Sequence, residues 1–420
     1  MKRRQFLQYS GYGLAQAGFL FSNFPKIAFA QKQNPDAGFF LQIYIAGGWD
    51  VTLLSDAYSV TDTKKEDMFV EYRTDQIIQK SNLKLAPGLE TLGSFLNDIS
   101  VVNGIIMKKD IGHPALAHYM GSGRSDDKAP FLSLFLEKND PTDGVGLIAV
   151  GEVDDKASVL ITESNSIQEI TNSFKNSNNN NQSLIEAIVA EEDSEAPLFQ
   201  AKSGLKKLYE KHTKLIEIMD IKTSSNANVN SAKAVAAAFS LGLARRSFMN
   251  IQTNGSLDTH ANHEGTHLKG LQERFEAIKE IFSLFKSVEY QGRSLFDQTT
   301  FMIFSEFSRT PNLNSSNGKD HNPYTNSVIL AGRNINPNKV IGESKLYGNQ
   351  ETKSGQSLHI GLPIEYSSGK VISDSKRREK GVGLIYPEHV IQTVHAAVTG
   401  NSSHPYLDRK VSVLPGIIKK

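Results

Sequence analysis

Residues 39–50 of this 420-residue chain read "FFLQIYIAGGWD", and their pattern is the strongest indication of the fold. The apolar run over 39–48 ends in two glycines, which is typical of a buried strand that leads into a tight loop. Asp50 follows that loop directly. The stretch therefore predicts a central strand with a carboxylate at its end.

Strands and helices alternate along the rest of the chain. Further apolar runs predict strands over 98–105, near 247–253, over 299–307 and over 326–332. Helices are predicted over 113–120, 231–246, from Leu268 onward and over 387–400, from helical periodicity or from residues that start and stop helices. This alternation predicts an α/β fold with a mostly parallel central sheet flanked by helices, and functional sites at the carboxyl ends of its strands.

The first 30 residues have the features of an export signal and not of a folded domain. Arg3 and Arg4 precede a mildly apolar stretch that ends in small residues at 28–30, as a twin-arginine signal peptide does. We expect export by the twin-arginine machinery to the periplasm or the cell exterior. No later apolar stretch is long enough for a membrane span after cleavage.

Composition limits the chemistry that the chain can perform. A net charge of +1 gives no reason to expect nucleic acid as a partner. The chain has no cysteine, which excludes disulfides and thiolate ligands, so that a metal would be bound by His, Asp and Glu. Residues 31–420 are interpreted as one domain, with a variable helical insertion at about 124–230 that includes the polar run "NSNNNNQS".

The segment "HEGTH" at 263–267 matches the His-Glu-x-x-His pattern of zinc proteases. That chemistry needs both histidines on one face of a helix, but here the apolar helical stripe begins only at Leu268. Gly265 lies inside the motif and weakens a helix by ~1 kcal/mol relative to alanine. A zinc protease therefore stays a remote alternative.

Ligand-type side chains follow three of the predicted strands. They occur in "AGGWD" at 46–50, in "DTH" at 258–260, and in "SEFSRT" and "GKDHN" at 305–322. The candidate metal ligands are Asp50, Asp258, His260, Glu306, Asp320 and His321. Such a mixed set could hold one or two divalent ions, and Zn, Mn, Mg and Ca all stay possible.

Together, "GGWD", "DTHAN" and "SEFSRTPNLNSSNGKDHN" resemble an uncharacterised family of twin-arginine-exported bacterial proteins. That family belongs to the alkaline-phosphatase-like, sulfatase-like superfamily. The chain departs from the family pattern in "NGSLDTH", which lacks a Gly-Gly-Trp, and at Ser308, which replaces a glycine. The resemblance implies an alkaline-phosphatase-like fold and a metal-dependent hydrolase that acts on an anionic phosphate or sulfate ester, either a small molecule or a polymer.

Superfamily hydrolases carry a Ser, Thr or Cys-derived nucleophile at a helix start, and the matching position here is His113. His113 could act as a third ligand, as a general base or as a nucleophile, or it could simply begin the helix. Arg309 and Arg124 are candidates for binding the anionic substrate. The alternative function is a non-catalytic binding or assembly protein of the envelope that retains the fold.

Overall fold

The computed structural model describes residues 38–58, 68–107, 112–125, 130–139, 148–150, 160–161, 213–242, 244–351 and 356–419. The predicted signal peptide at 1–30 lies outside these ranges, as does most of the predicted insertion at 124–230. Near the end of the predicted helical insertion, residues 213–219 are described and are helical.

A mostly parallel sheet of eight strands forms the centre of the described structure. In chain order the strands are β1 (Phe39–Tyr44), β2 (Ile99–Val102), β3 (Ile148–Val150), β4 (Leu160–Ile161), β5 (Arg246–Asn250), β6 (Thr299–Phe304), β7 (Val328–Gly332) and β8 (Val340–Ile341). They lie in the order β8-β2-β7-β6-β1-β5-β3-β4. Only β7 runs antiparallel to its neighbours β6 and β2, so the α/β prediction is confirmed.

Helices cover both faces of this sheet. The longer ones are α1 (His113–Ser122), α2 (Leu132–Asn139), α3 (Ala227–Ser240), α4 (His267–Ser287) and α5 (Pro387–Thr399). One core cluster joins α3 and α4 to the sheet, and a second joins α1, α2 and α5 to the opposite face. Strand β1 contributes side chains to both clusters, because successive residues of a strand point to opposite faces. Phe39, Leu41 and Ile43 belong to the first cluster and Phe40 to the second.

Short ladders and helical turns lie around the central sheet and its helices. Two-stranded ladders pair Ile78–Lys80 with Leu83–Leu85, Glu289–Tyr290 with Arg293–Ser294, Ser308–Arg309 with His321–Asn322, Ser344–Glu351 with Ser357–Gly361, and Ile364–Glu365 with Val382–Gly383. Short helical turns lie at Val51–Leu53, Thr74–Gln76, Pro87–Asn97, Leu295–Gln298 and Asp374–Lys376. No helix in the described ranges is long and apolar enough to cross a membrane.

Both predicted ends of one helix were wrong by several residues. The helix expected over 231–246 is α3, which begins earlier because the Asn226 side chain caps it by accepting from Asn228 N. It ends at Ser240 and not at 246, because Gly242 has a φ of 68° and turns the chain toward β5. Helix α5 agrees with its prediction, with Pro387 at its start and Gly400 in the left-handed conformation after its end.

Candidate metal centre

Four of the sequence-predicted site residues meet beyond the carboxyl ends of β1, β5 and β6. His113 is the first residue of α1, Asp258 and His260 lie on the loop after β5, and His321 lies on the ladder after β6. Each contributes one ligand atom, and these four atoms all lie within 4.8 Å of one another. It is the only such group of three or more His, Cys, Asp and Glu among the described residues.

Two of the distances from Asp258 equal those expected around one small cation, and the other separations in the group depart from them by up to about 1.2 Å. Asp258 Oδ1 lies 3.4 Å from His113 Nε2, 3.3 Å from His260 Nε2 and 4.0 Å from His321 Nε2. His260 Nε2 and His321 Nε2 are 3.0 Å apart. Ligand atoms about 2.0–2.2 Å from a tetrahedral zinc ion would be separated by about 3.3–3.6 Å. We call these four residues the HHHD group.

Buried or half-buried carboxylates fix the orientation of two of the imidazoles. Glu306 Oε1 lies 2.6 Å from His113 Nδ1, and Asp320 Oδ1 lies 2.7 Å from His260 Nδ1. An ionised carboxylate only accepts, so Nδ1 of each ring donates and Nε2 presents its lone pair to the group. The tautomer that each hydrogen bond fixes is the one that a metal ligand requires.

Glu306 connects the His113 ring to the glycine loop after β1. Its Oε1 also accepts from Gly47 N at 2.9 Å, and its Oε2 accepts from the Ser305 hydroxyl at 2.7 Å. Complete burial raises the pKa of Glu306, but the His113 hydrogen bond and the other donors more than offset burial and leave its pKa below the ordinary value. Glu306 and Asp320, predicted as ligands, therefore lie outside the group of four and accept hydrogen bonds from Nδ1 of His113 and His260.

Arg309 holds Asp258 in place. The fully buried guanidinium donates to Asp258 Oδ1 at 2.6 Å, to Gly48 O at 3.0 Å and to Lys319 O at 3.0 Å, and it also bonds Gly47 O. Burial raises the pKa of Asp258, but the hydrogen bond and the charge of Arg309 lower it by more, so its pKa lies below the ordinary value. Arg309, predicted to bind substrate, has its donors directed at these protein acceptors.

Asp50 lies outside the HHHD group and pairs with a lysine. Its carboxylate and the Lys319 ammonium are both fully buried and lie 2.5 Å apart. Burial raises the pKa of Asp50, but the charge of Lys319 and the nearby His263 take it well below its ordinary value. The lysine therefore fills the cation position beside the carboxylate that the sequence pattern assigned to a metal. Sequence reasoning gave Lys319 no role, although "GKDHN" contains it.

The histidines of "HEGTH" belong to this second, buried network. His263 Nδ1 and His267 Nδ1 lie 2.7 and 2.9 Å from Thr259 Oγ1, while Asp50 N donates to His267 Nε2 at 3.0 Å. Helix α4 starts only at His267, Gly265 has a φ of 71°, and Glu264 is exposed. The two histidines do not share a helical face with an inward-facing glutamate, so the zinc-protease arrangement is absent from this segment.

Arg124 is not brought to the HHHD group. It follows α1 at the end opposite His113 and donates through Nη1 to Tyr406 O at 3.2 Å. Ten helical residues separate the two ends, a span of about 15 Å at 1.5 Å per residue. The structure therefore gives Arg124 a surface contact with the C-terminal segment.

Fold and site together define an α/β protein with a candidate metal centre at the strand ends. Residues 154–359 match a family described as "Protein of unknown function (DUF1501)". Among solved structures the chain is similar to the lipoteichoic acid synthase LtaP from Listeria monocytogenes, with 7% identity, a TM-score of 0.34, and coverage of 78% of this chain and 74% of that chain. No curated protein matches the chain.

Proposed function

We propose that the protein is a metal-dependent hydrolase of phosphate or sulfate esters that holds one divalent ion in the HHHD group. The observation that supports the proposal is the convergence of three imidazole Nε2 atoms and one carboxylate oxygen within 4.8 Å. Three imidazoles favour zinc over manganese, magnesium and calcium, which prefer oxygen ligands. Such an ion would lower the pKa of a bound water and polarise an ester oxygen.

The side chains of the chain itself position this centre. Glu306 and Asp320 keep His113 and His260 in the tautomers that direct Nε2 inward, and Arg309 holds Asp258 against the group. His113 Nε2 already faces Asp258 Oδ1 at 3.4 Å, so we assign His113 as a ligand and not as a covalent nucleophile. A single ion is proposed because Lys319 supplies the positive charge beside Asp50.

The same proposal covers the wider assignment of the chain. A mostly parallel sheet with its site at the strand ends supports an alkaline-phosphatase-like fold for residues 31–420, with the insertion at about 124–230. The twin arginines at positions 3 and 4 support export to the periplasm or cell exterior. The substrate would be an anionic ester, either a small molecule or a polymer.

One observation favours the alternative function, a non-catalytic envelope binding or assembly protein. The HHHD group offers four protein ligands, and a tetrahedral site with four protein ligands is typical of structural ions. Arg309, the arginine beside the group, is also directed at protein acceptors. On this alternative the ion would brace the loops after β5 and β6.

Metal analysis and an ester panel separate the two functions. The mature protein would be purified from the periplasm without chelators and assayed with nitrophenyl phosphate, bis-nitrophenyl phosphate and nitrophenyl sulfate. The variant is His260→Ala, and the control is His118→Ala, a histidine on α1 that stacks on Phe131 with a 4.8 Å centroid separation.

We expect about one ion per chain and ester turnover, both lost in His260→Ala and both kept in His118→Ala. A bound ion without turnover on any ester would favour the structural role. Protein without metal in all three forms would refute the metal centre itself.

A further inference from the structure

A cavity of about 350 Å³ is lined in part by Tyr324, which follows the short strand His321–Asn322 by two residues. Ile106, Met107 and Leu384 are buried in its wall, and Tyr324, Tyr386, Arg377 and Arg409 complete its polar and aromatic lining. We propose that this cavity binds an organic anion with a flat apolar body, such as an aryl sulfonate or aryl carboxylate. The proposal does not depend on the metal centre.

The walls of the cavity are fixed by backbone hydrogen bonds. Ile106 N donates to Ile385 O at 2.8 Å, and Met107 N donates to Pro323 O at 2.8 Å. Tyr386 is further held beside His389, with ring centroids 6.1 Å apart and nearly parallel planes. A cavity of this size, preformed and mainly apolar with a few polar groups, has the usual properties of a small-molecule site.

The two arginines that line the cavity indicate that its ligand carries a negative charge. The Arg409 guanidinium carbon lies 3.7 Å from the centre of the Tyr386 ring, and Nε of Arg409 lies 3.5 Å from the buried Glu388 carboxylate. Arg377 lies on the exposed segment 370–380, which carries five basic and two acidic residues. A fork of N–H donors fixed against a ring, with a surplus of positive charge beside it, favours a carboxylate, sulfonate or phosphate.

The apolar part of the occupant is indicated by Tyr324. It is one of two large apolar side chains that are exposed among the described residues, at 38% of its full accessible area. Tyrosine offers a broad apolar face at low entropic cost, and Tyr324 lines the same cavity as Met107 and Leu384. A flat ring could therefore stack on Tyr324 while its anionic group reaches the arginines.

Two fluorescent probes test the anion and the apolar body separately. Anilinonaphthalene sulfonate carries the anion, and phenylnaphthylamine has the same rings without the sulfonate. We expect the full chain to bind the sulfonate at least about tenfold more tightly than the neutral probe. Arg377→Gln and Arg409→Gln should each remove most of that preference, while Tyr324→Ala should weaken both probes.

Arg378→Gln is the matched control, since Arg378 is the exposed neighbour of Arg377 and does not line the cavity. It should leave both affinities within about twofold of the unmodified chain. Equal affinity for the two probes, or an equal loss in Arg377→Gln and Arg378→Gln, would overturn the proposal. Unfolding temperatures of all variants show whether Arg409→Gln has lost its fold, in which case Arg377→Gln decides.

Discussion

At the scale of single residues, the histidines differ by the groups that their ring nitrogens contact. His113 and His260 donate through Nδ1 to carboxylates and leave Nε2 for a cation. His263 and His267 instead lie inside the protein, where both contact the Thr259 hydroxyl and His267 also accepts from the Asp50 backbone N–H. The same residue type therefore serves a candidate metal centre in one place and a buried hydrogen-bond network a few residues away.

Glu306→Gln should weaken metal binding without emptying the HHHD group. Glutamine can still accept from His113 Nδ1, but it lacks the charge that makes the ring a better ligand, and loss of such a partner costs about 10–100-fold in affinity. Competition with a fluorescent chelator measures this change. Glu388→Gln, a buried carboxylate that accepts from Tyr119 on α1, is the control. Equal affinities in both variants would contradict the positioning role.

Lys319→Met should destabilise the protein by about 3–5 kcal/mol, because it leaves the Asp50 carboxylate buried without its ammonium. The double variant with Asp50→Asn should recover most of this loss. Urea unfolding at neutral pH, with and without added zinc, measures both. If the single variant keeps its stability by binding a second ion, then Asp50 is a metal ligand and the single-ion proposal is wrong.

At the scale of elements, the centre depends on how closely two loops approach. A Cβ on Gly318 would lie 2.0 Å from the His260 backbone carbon and oxygen, so only glycine allows the loop after β5 to touch the ladder after β6. Ala261 forms a bridge with Asn317 at the same place, and His263 N donates to Asn317 O at 2.8 Å. The separation of His260 from Asp320 and His321 is therefore set by backbone packing.

Gly318→Ala should push these loops apart and lower metal affinity at least about tenfold, with a loss of stability of about 1–3 kcal/mol from overpacking. Calorimetric titration with zinc and thermal unfolding measure the two effects. Gly255→Ala on the loop after β5 is the matched control, since a Cβ there meets nothing within 4 Å and its φ is not positive. Unchanged zinc affinity in Gly318→Ala would show that the loops can separate without disturbing the ligands.

At the scale of the whole molecule, several histidines lie in the core as neutral rings. Burial lowers the pKa of His359 to about 3 and that of His389 to about 4. Neither ring nitrogen of His359 has a hydrogen-bond partner among the described residues, and the ring stacks on Tyr58 with centroids 4.7 Å apart. Protonation of such rings is coupled to unfolding, which gives the fold a pH dependence separate from that of the metal centre.

The free energy of unfolding should fall as the pH is lowered from about 6.5 to about 3. In that window the unfolded chain binds a proton at His359 while the folded chain does not, so stability rises with pH. His359→Phe keeps an aromatic ring beside Tyr58 but cannot titrate, and it should flatten the slope. Denaturant unfolding at several pH values, compared with His118→Ala, measures this. Parallel curves for His359→Phe and the unmodified chain would refute the coupling.

The α/β class, the central strand that begins at Phe39, the apolar stripe of α4 and both ends of α5 could be predicted from the sequence, because each depends on local residue periodicity and on residues that start or stop helices. The sequence also named all four members of the HHHD group. The partner of each carboxylate became known only from the three-dimensional structure, because a carboxylate at a strand end has the same sequence signal whether it faces an ion, an imidazole or a lysine. Glu306, Asp320 and Asp50 illustrate this, since their partners His113, His260 and Lys319 lie 193, 60 and 269 residues away along the chain.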